Sequence, residues 1–248
     1  MKTTISVLIT KARNSIISGD TRQSVSHKAR KKWTPHLAKV DQSALGSKWG
    51  AGDIMYADLD GDGKISTGSN KLGDTGDRVI LGNSTPRFNY GLTIDASWKG
   101  IDFRAFFQGI GKRDYWLQGP YFWGSTGLGQ WQAAGFKEHW DFWRPEGDPL
   151  GANTNAYYPR VLKSDSRNMA VQSRYIQNAA YCRIKNVQIG YTLPQRISSK
   201  FFVSKLRAFV SMDNILTITS YPGLDPEIGT EIGYPLMRQI SFGGQITF

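Results

Sequence analysis

From residue 86 to the end of the chain, apolar and polar residues alternate with a period of two, the spacing of a β-strand that shows one apolar face. In residues 86–98 (PRFNYGLTIDASW), Phe88, Tyr90, Leu92, Ile94, Ala96 and Trp98 share one face. Asn89, Gly91, Thr93, Asp95 and Ser97 share the other. Lys99-Gly100 then suits a two-residue hairpin turn. The pattern resumes with Ile101, Phe103, Ala105 and Phe107 against Asp102, Arg104 and Gln108, and Phe106 is the one apolar residue on the polar side. Three more segments repeat it: Val187, Ile189, Tyr191 and Leu193; Leu206, Ala208, Val210 and Met212; Ile240, Phe242, Gly244, Ile246 and Phe248. In YCRIK, just before the third strand, the parity is reversed, which predicts a β-bulge near Lys185. The alternation therefore predicts five strands. Each is about 9–11 residues, the length of a tilted membrane strand and longer than most globular ones. An apolar face opposite Gln, Ser, Thr, Asn and Asp suits a wall between lipid and a wet lumen. A soluble β-sandwich produces the same alternation.

A long connection, residues 110–179, separates the second strand from the third. It holds five of the eight Trp (Trp116, Trp123, Trp131, Trp140, Trp143) beside Tyr115, Tyr121 and Phe122. Loops of this length in compact domains carry function or structure of their own. These aromatics either pack a small core or present flat faces to a ligand such as a sugar ring or a peptide side chain. Trp116, Tyr121, Trp123 and Trp131 are the candidates for ligand contact.

Before the first of these strands lies DLDGDGKIS, residues 58–66. Asp58, Asp60 and Asp62 stand at alternate positions, Gly63 falls at the sharpest point of the turn, and Ile65 can anchor the loop inward. These are the first positions of an EF-hand-type calcium loop, in which the Lys64 carbonyl is a further ligand. Position twelve, where a bidentate Glu belongs, is Ser69. The flanks are too rich in Gly, Ser and Asn for helices. An acidic turn that holds no metal is the other reading.

Composition narrows the class. The chain has 248 residues, 40% hydrophobic, 12% aromatic and 21% charged, with 27 Gly, which favours strands and turns over a helical bundle. The formal net charge of +11 is concentrated in residues 1–48, where ten Lys and Arg face only Asp20 and Asp41. The basic run HKARKKW (27–33) has no RNA-binding signature, zinc spacing or helix-turn-helix pattern beside it, so nucleic acid is not an expected partner. Residues 1–37 read as a basic segment distinct from residues 38–248, either a divergent extension or the product of a truncated or shifted reading frame. The single cysteine, Cys182, excludes an internal disulfide framework. No apolar run is long enough for a membrane helix, and ISVLI is too short for a signal-peptide core. His27, His36 and His139 sit in no ligand spacing, Cys182 has no local His partner, and Asp213 and Asp225 lie in no catalytic motif. No enzyme is expected, and no organic cofactor.

Five stretches together resemble a family. They are KVDQSALGSKWGAGDIMYADLDGDGKI, GDRVILGNSTPRFNYGLTIDASWKGIDFRAFFQG, DFWRPE with NAYYPR, YCRIKNVQIGYTLP, and YPLMRQISFGGQITF. In this order they are similar to the SusC/RagA-type TonB-dependent outer-membrane transporters of Bacteroidota. The resemblance implies an all-β fold: the C-terminal strands of a transmembrane antiparallel β-barrel with long extracellular loops. Barrels of this class have about 22 strands, so five make an incomplete barrel whose plug and energy-coupling box lie elsewhere. It further implies nutrient import of oligosaccharide or peptide, outer-membrane lipid around the wall, a surface SusD-like lipoprotein as a lid, and TonB engaged only through the plug. The short turns then face the periplasm and the long connections the exterior, where calcium can pin a loop that lacks its own core. Asp77 of GDR is the candidate for the late carboxylate, displaced from position twelve by an insertion. The last strand carries Ile240, Phe242, Ile246 and Phe248, the aromatic-ended pattern that the assembly machinery of this class reads. The alternative is a soluble, calcium-stabilised β-domain that binds carbohydrate through the aromatic loop.

Overall fold

The computed structural model describes residues 2–10, 24–25, 35–69, 71, 73–124, 135–162, 165, 167–229, 234 and 236–248. The chain divides into two compact units. One takes in the N-terminal strand, Asn83–Tyr115 and Asn178–Phe248; the other is drawn from Ile17–Gly82 and Trp116–Gln177.

The first unit is a single antiparallel sheet of six strands in sequence order: β1 (Lys2–Thr10), β2 (Arg87–Trp98), β3 (Ile101–Lys112), β4 (Tyr181–Thr192), β5 (Lys205–Thr219) and β6 (Gln239–Thr247). It is an open sheet, with β1 and β6 at its edges. Five of the strands are those that the alternation predicts. The sixth, β1, comes from the basic N-terminal segment and pairs along its length with β2, Ile5 opposite Ile94 and Val7 opposite Leu92. Its own alternation (Thr3, Ile5, Val7 against Lys2, Thr4, Ser6) is in phase with the rest, and Leu8 alone breaks it. Leu8 sits opposite Gly91, which has no side chain to oppose it.

The expected bulge is present. Against β3 the β4 register shifts between Phe106 and Phe107, with Lys185 as the extra residue; against β5 it shifts between Ile184 and Asn186, where Asn214 and Ile215 of β5 stand opposite Lys185 alone. The shift places Ile184 beside Phe107 and Leu216, on the same face as Val187, which is why YCRIK reads with reversed parity.

Register puts the alternating apolar positions on one face, with Phe106 and Phe209 among the exceptions. Ala96, Phe103, Ile189, Val210 and Phe242 form one row across five strands. This face is left open: Ile5 is 62% exposed, Trp98 57% and Phe242 80%. The opposite face carries charge pairs. Arg104 bonds Asp95 at 2.6 Å, Asn186 bonds Asp213 at 2.7 Å, and Arg207 on β5 reaches Asp102 on β3 at 2.9 Å. The last pair crosses β4 over Gly190, where a Cβ would lie 2.5 Å from the guanidinium. Only a residue without a side chain leaves room for it.

In the second unit, Ile54, Tyr56 and Ile65 are fully buried. Burying an aliphatic side chain of that size contributes about 1.5–3 kcal/mol. Asp53 is wholly buried too, held by Arg160 through two bonds of 2.6 Å and by Asn168 at 2.9 Å. The Asn168 carbonyl oxygen of the side chain accepts the Ile54 amide at 2.9 Å. Gln42 accepts the Tyr56 amide at 2.7 Å. Residues around position 50 and around position 165 are thus locked to each other by a satisfied polar network, which a small core needs as much as apolar burial.

Candidate functional site

The acidic loop is anchored at both sides. The Asp41 amide donates to the Gly63 carbonyl and the Ile65 amide to the Asp41 carbonyl, each at 2.8 Å. Ile65 points inward and is 1% exposed. Between these anchors the chain turns through Gly63 at φ +78°, a left-handed conformation that glycine adopts without a Cβ penalty. Asp58 accepts the Gly61 and Gly63 amides at 2.7 and 2.9 Å. Asp77, fully buried, accepts the Leu59 and Ser66 amides, both at 2.7 Å.

These bonds bring Asp58, Asp60 and Asp77 together, with one oxygen of each within 4.8 Å of the others. A calcium ion takes oxygen ligands at about 2.3–2.6 Å, so three oxygens this close fit around one such ion. Asp62 lies outside the convergent set; its carboxylate accepts the Lys64 amide at 2.7 Å. Lys64 pairs as an isolated bridge with Asp41. Two influences compete on the Asp60 carboxyl. The Asp62 amide that bonds it favours the charged form, while desolvation and the charges of Asp62, Asp77 and Asp58 oppose it, and the net displacement is upward. No ion pair to Asp58, Asp60 or Asp77 occurs among the described residues. Asp74, which sequence reasoning did not single out, accepts the Ser69 amide at 2.9 Å and closes the inserted stretch ahead of Asp77.

Of the ligand candidates, Trp116 and Trp123 come together, ring centroids 5.9 Å apart and tilted by 50°. They line one cleft of about 370 Å³ with Gln118, Gly119, Met169, Ala170 and Val171. Trp123 is only 4% exposed and packs edge-on against Phe122 and Tyr175, each at 5.0 Å. It belongs to an aromatic cluster with Tyr158, whose hydroxyl, like that of Tyr175, is pushed up by burial. The backbone of Tyr121 lies in the short helix Pro120–Trp123. Trp131 lies outside the described residues, as does the basic run 27–33. His139 is a packing residue: its Nδ1 accepts the Phe136 amide at 3.0 Å and its ring meets Tyr158 at 5.3 Å. Asp225 serves structure as well, paired with the buried Arg183 at 2.7 Å. On β6, Ile240, Phe242 and Ile246 share the open apolar face, and Phe248 follows at 88% exposed.

No family model matches the chain. It is 33% identical over 215 residues to the TonB-dependent receptor P3 of Formosa agariphila, a match covering 79% of this chain and 19% of that protein. The TonB-dependent receptor P26 of the same organism is 26% identical over 85% of this chain and 21% of its own length. The chain thus spans about a fifth of the length of these relatives. Two solved structures match its fold at 25% identity over 79% of the chain. One is of the RagAB peptide transporter, with a TM-score of 0.56 over 21% of that chain. The other is of the RagAB peptide importer in the open-open state, with 0.58 over 20%. The soluble-domain alternative finds no support among these relatives. A sheet with one open apolar face, a charged face behind it, a TonB-dependent receptor 33% identical over 79% of the chain, and the RagAB fold lead to one assignment: the chain belongs to the SusC/RagA-type TonB-dependent receptors, a family of outer-membrane β-barrels.

Proposed function

We propose that this chain supplies part of the barrel wall and the attached outer loops of an importer for oligosaccharide or peptide. In this reading a surface lipoprotein captures the solute, and TonB acts through a plug domain carried on another part of the receptor. The observation that carries the reading is the division of the six-stranded sheet into an open apolar face and a charged face. A lipid bilayer covers the first, and the second lines a watery passage. Asp95–Arg104 ties neighbouring strands and Asp102–Arg207 reaches across one strand to the next, both through side chains on the passage side. RagAB is a peptide transporter and importer, which favours peptide as one solute class for the barrel.

The test is assembly in cells that produce a receptor carrying this chain. Ile94→Lys, on the lipid side, should lose most heat-modifiable barrel, since a Lys near the bilayer midplane costs about 2–4 kcal/mol. Thr93→Lys, one residue away on the passage side, should assemble nearly as well as the parent. Equal behaviour of the two variants would sink the wall reading.

The acidic loop is proposed to hold one calcium ion through Asp58, Asp60 and Asp77. The converged oxygens, and a charge repulsion that a cation would relieve, support this. Its role is structural, pinning the loop against the strand-like anchors at Asp41 and Ile65.

A further inference from the structure

A second group of side chains in the loop unit is built for a different ligand. Trp140 is 60% exposed, although Trp123 and Trp143 of the same unit are buried. Beside it, Glu138, Asp141, Arg144 and Asn153 line an open cleft of about 490 Å³, within the usual range for a small-molecule site. The floor is rigid. Arg144 and Asn153 exchange backbone bonds of 3.1 Å, and the Asn153 amide bonds Asp141 at 2.8 Å. Arg144 is 8% exposed; its Nε donates to the Gly151 carbonyl at 2.7 Å and its Nη1 to the Trp140 carbonyl at 3.0 Å.

The groups left over define the ligand. Among the described residues, the Trp140 indole N–H, the Lys137 ammonium, Arg144 Nη2, Asn153 Oδ1 and the Glu138 carboxylate, all on this cleft, make no hydrogen bond. Three of these are donors and two are acceptors. They surround a flat ring whose negative face attracts weakly positive C–H groups. We infer that Trp140, with Arg144, Asn153 and Glu138, forms a subsite for one pyranose ring of an oligosaccharide. The ring's C–H face lies on the indole, and its hydroxyls, each both donor and acceptor, meet the surrounding side chains. A peptide added as a further strand is a poorer match, because that mode needs unpaired backbone groups and those of Arg144 and Asn153 are spent on each other. The inference rests on the import reading and narrows its solute class at this one place.

The test titrates a receptor carrying this chain, in detergent micelles, with hexasaccharides of α-glucan, β-glucan and polyuronate, and with a Gly-Ser hexapeptide. At least one hexasaccharide should bind saturably. Trp140→Ala should weaken it about tenfold, Trp140→Phe about threefold, and Trp98→Ala on the lipid side not at all. Unchanged melting of the variants separates lost contact from lost fold. Binding unaffected by Trp140→Ala, binding of the hexapeptide alone, or no binding by any of the four would overturn the subsite. Uptake by cells separates this from the broader reading. Import that persists in Trp140→Ala with unchanged sugar binding removes the subsite and leaves the importer. Trp140-dependent sugar binding without any import does the reverse.

Discussion

The six-stranded sheet and the loop unit carry similar side chains and treat them in opposite ways. In the sheet, Ile5, Ile240 and Phe242 lie more than half exposed, while the charged residues bond one another on the other face. In the loop unit, Ile54, Tyr56 and Tyr175 are completely buried, and Asp53 is buried with them. The difference reflects the solvent each was selected for. A sheet that meets lipid can leave its apolar side open, because the bilayer completes its burial. A loop unit that meets water must build its own core, and the aromatic residues between positions 115 and 175 supply much of it. The wall is held by backbone pairing between strands, the loop unit by a few side chains that reach across more than a hundred residues of sequence.

Breaking that long-range lock should have the largest effect. Asp53→Ala leaves Arg160 and Asn168 without their shared partner. Loss of one member of a buried ion pair costs about 3–5 kcal/mol, and because Arg160 is 31% exposed the lower end of that range is expected. Hydrogen exchange should show the loop unit losing protection while the strands Ile101–Lys112 and Lys205–Thr219 keep theirs. A uniform loss over the chain would refute the idea that the two regions have separate sources of stability.

Calcium comes next. At a hundred times its dissociation constant a bound ion contributes about 2.7 kcal/mol. Calcium should therefore protect residues 58–77 from protease in a barrel carrying this chain, and Asp60→Ala or Asp77→Asn should abolish the protection. Asp62→Asn should reduce it less, since Asp62 lies outside the convergent set. Equal cleavage with calcium and with chelator would leave an acidic turn only. The pH dependence has a definite sign. The folded loop raises the Asp60 pKa, so without metal the loop favours protonated Asp60 and gains protection as pH falls through that raised value. Protons and calcium compete for the same carboxylate, so protection by calcium should be lost in that same window.

The smallest effect concerns β6. Removing Phe248 should lower the amount of assembled barrel without changing synthesis, whereas Thr247→Ser, which keeps polarity and phase, should change neither. Equal assembly of the deletion and the parent would mean that Phe248 is only a frayed strand end.

Much of the wall was legible before any coordinates, because a strand's faces are written in a period of two. The alternation located five strands, assigned their faces, and placed a bulge at Lys185 from a parity change alone. It passed over Lys2–Thr10, where Leu8 interrupts the alternating Thr3, Ile5 and Val7. The acidic loop was legible in part: the spacing of Asp58 and Asp60 marks it, but the same spacing put Asp62 in a ligand set that the fold does not assemble. For the aromatic loop, sequence offered two readings of Trp116 and Trp123 and could not rank Trp140, the most exposed of the described tryptophans.

The sequence by itself therefore determined the strands, their apolar face and the Lys185 bulge, since each is a local pattern that backbone geometry converts directly into direction. Only the tertiary structure decided that Asp62 stays outside the set that Asp58, Asp60 and Asp77 form, that Asp53 meets Arg160 and Asn168, and which tryptophans lie open. Those outcomes depend on which distant segments pack together and on the room each leaves. No periodicity records a contact between residues that lie 107 positions apart.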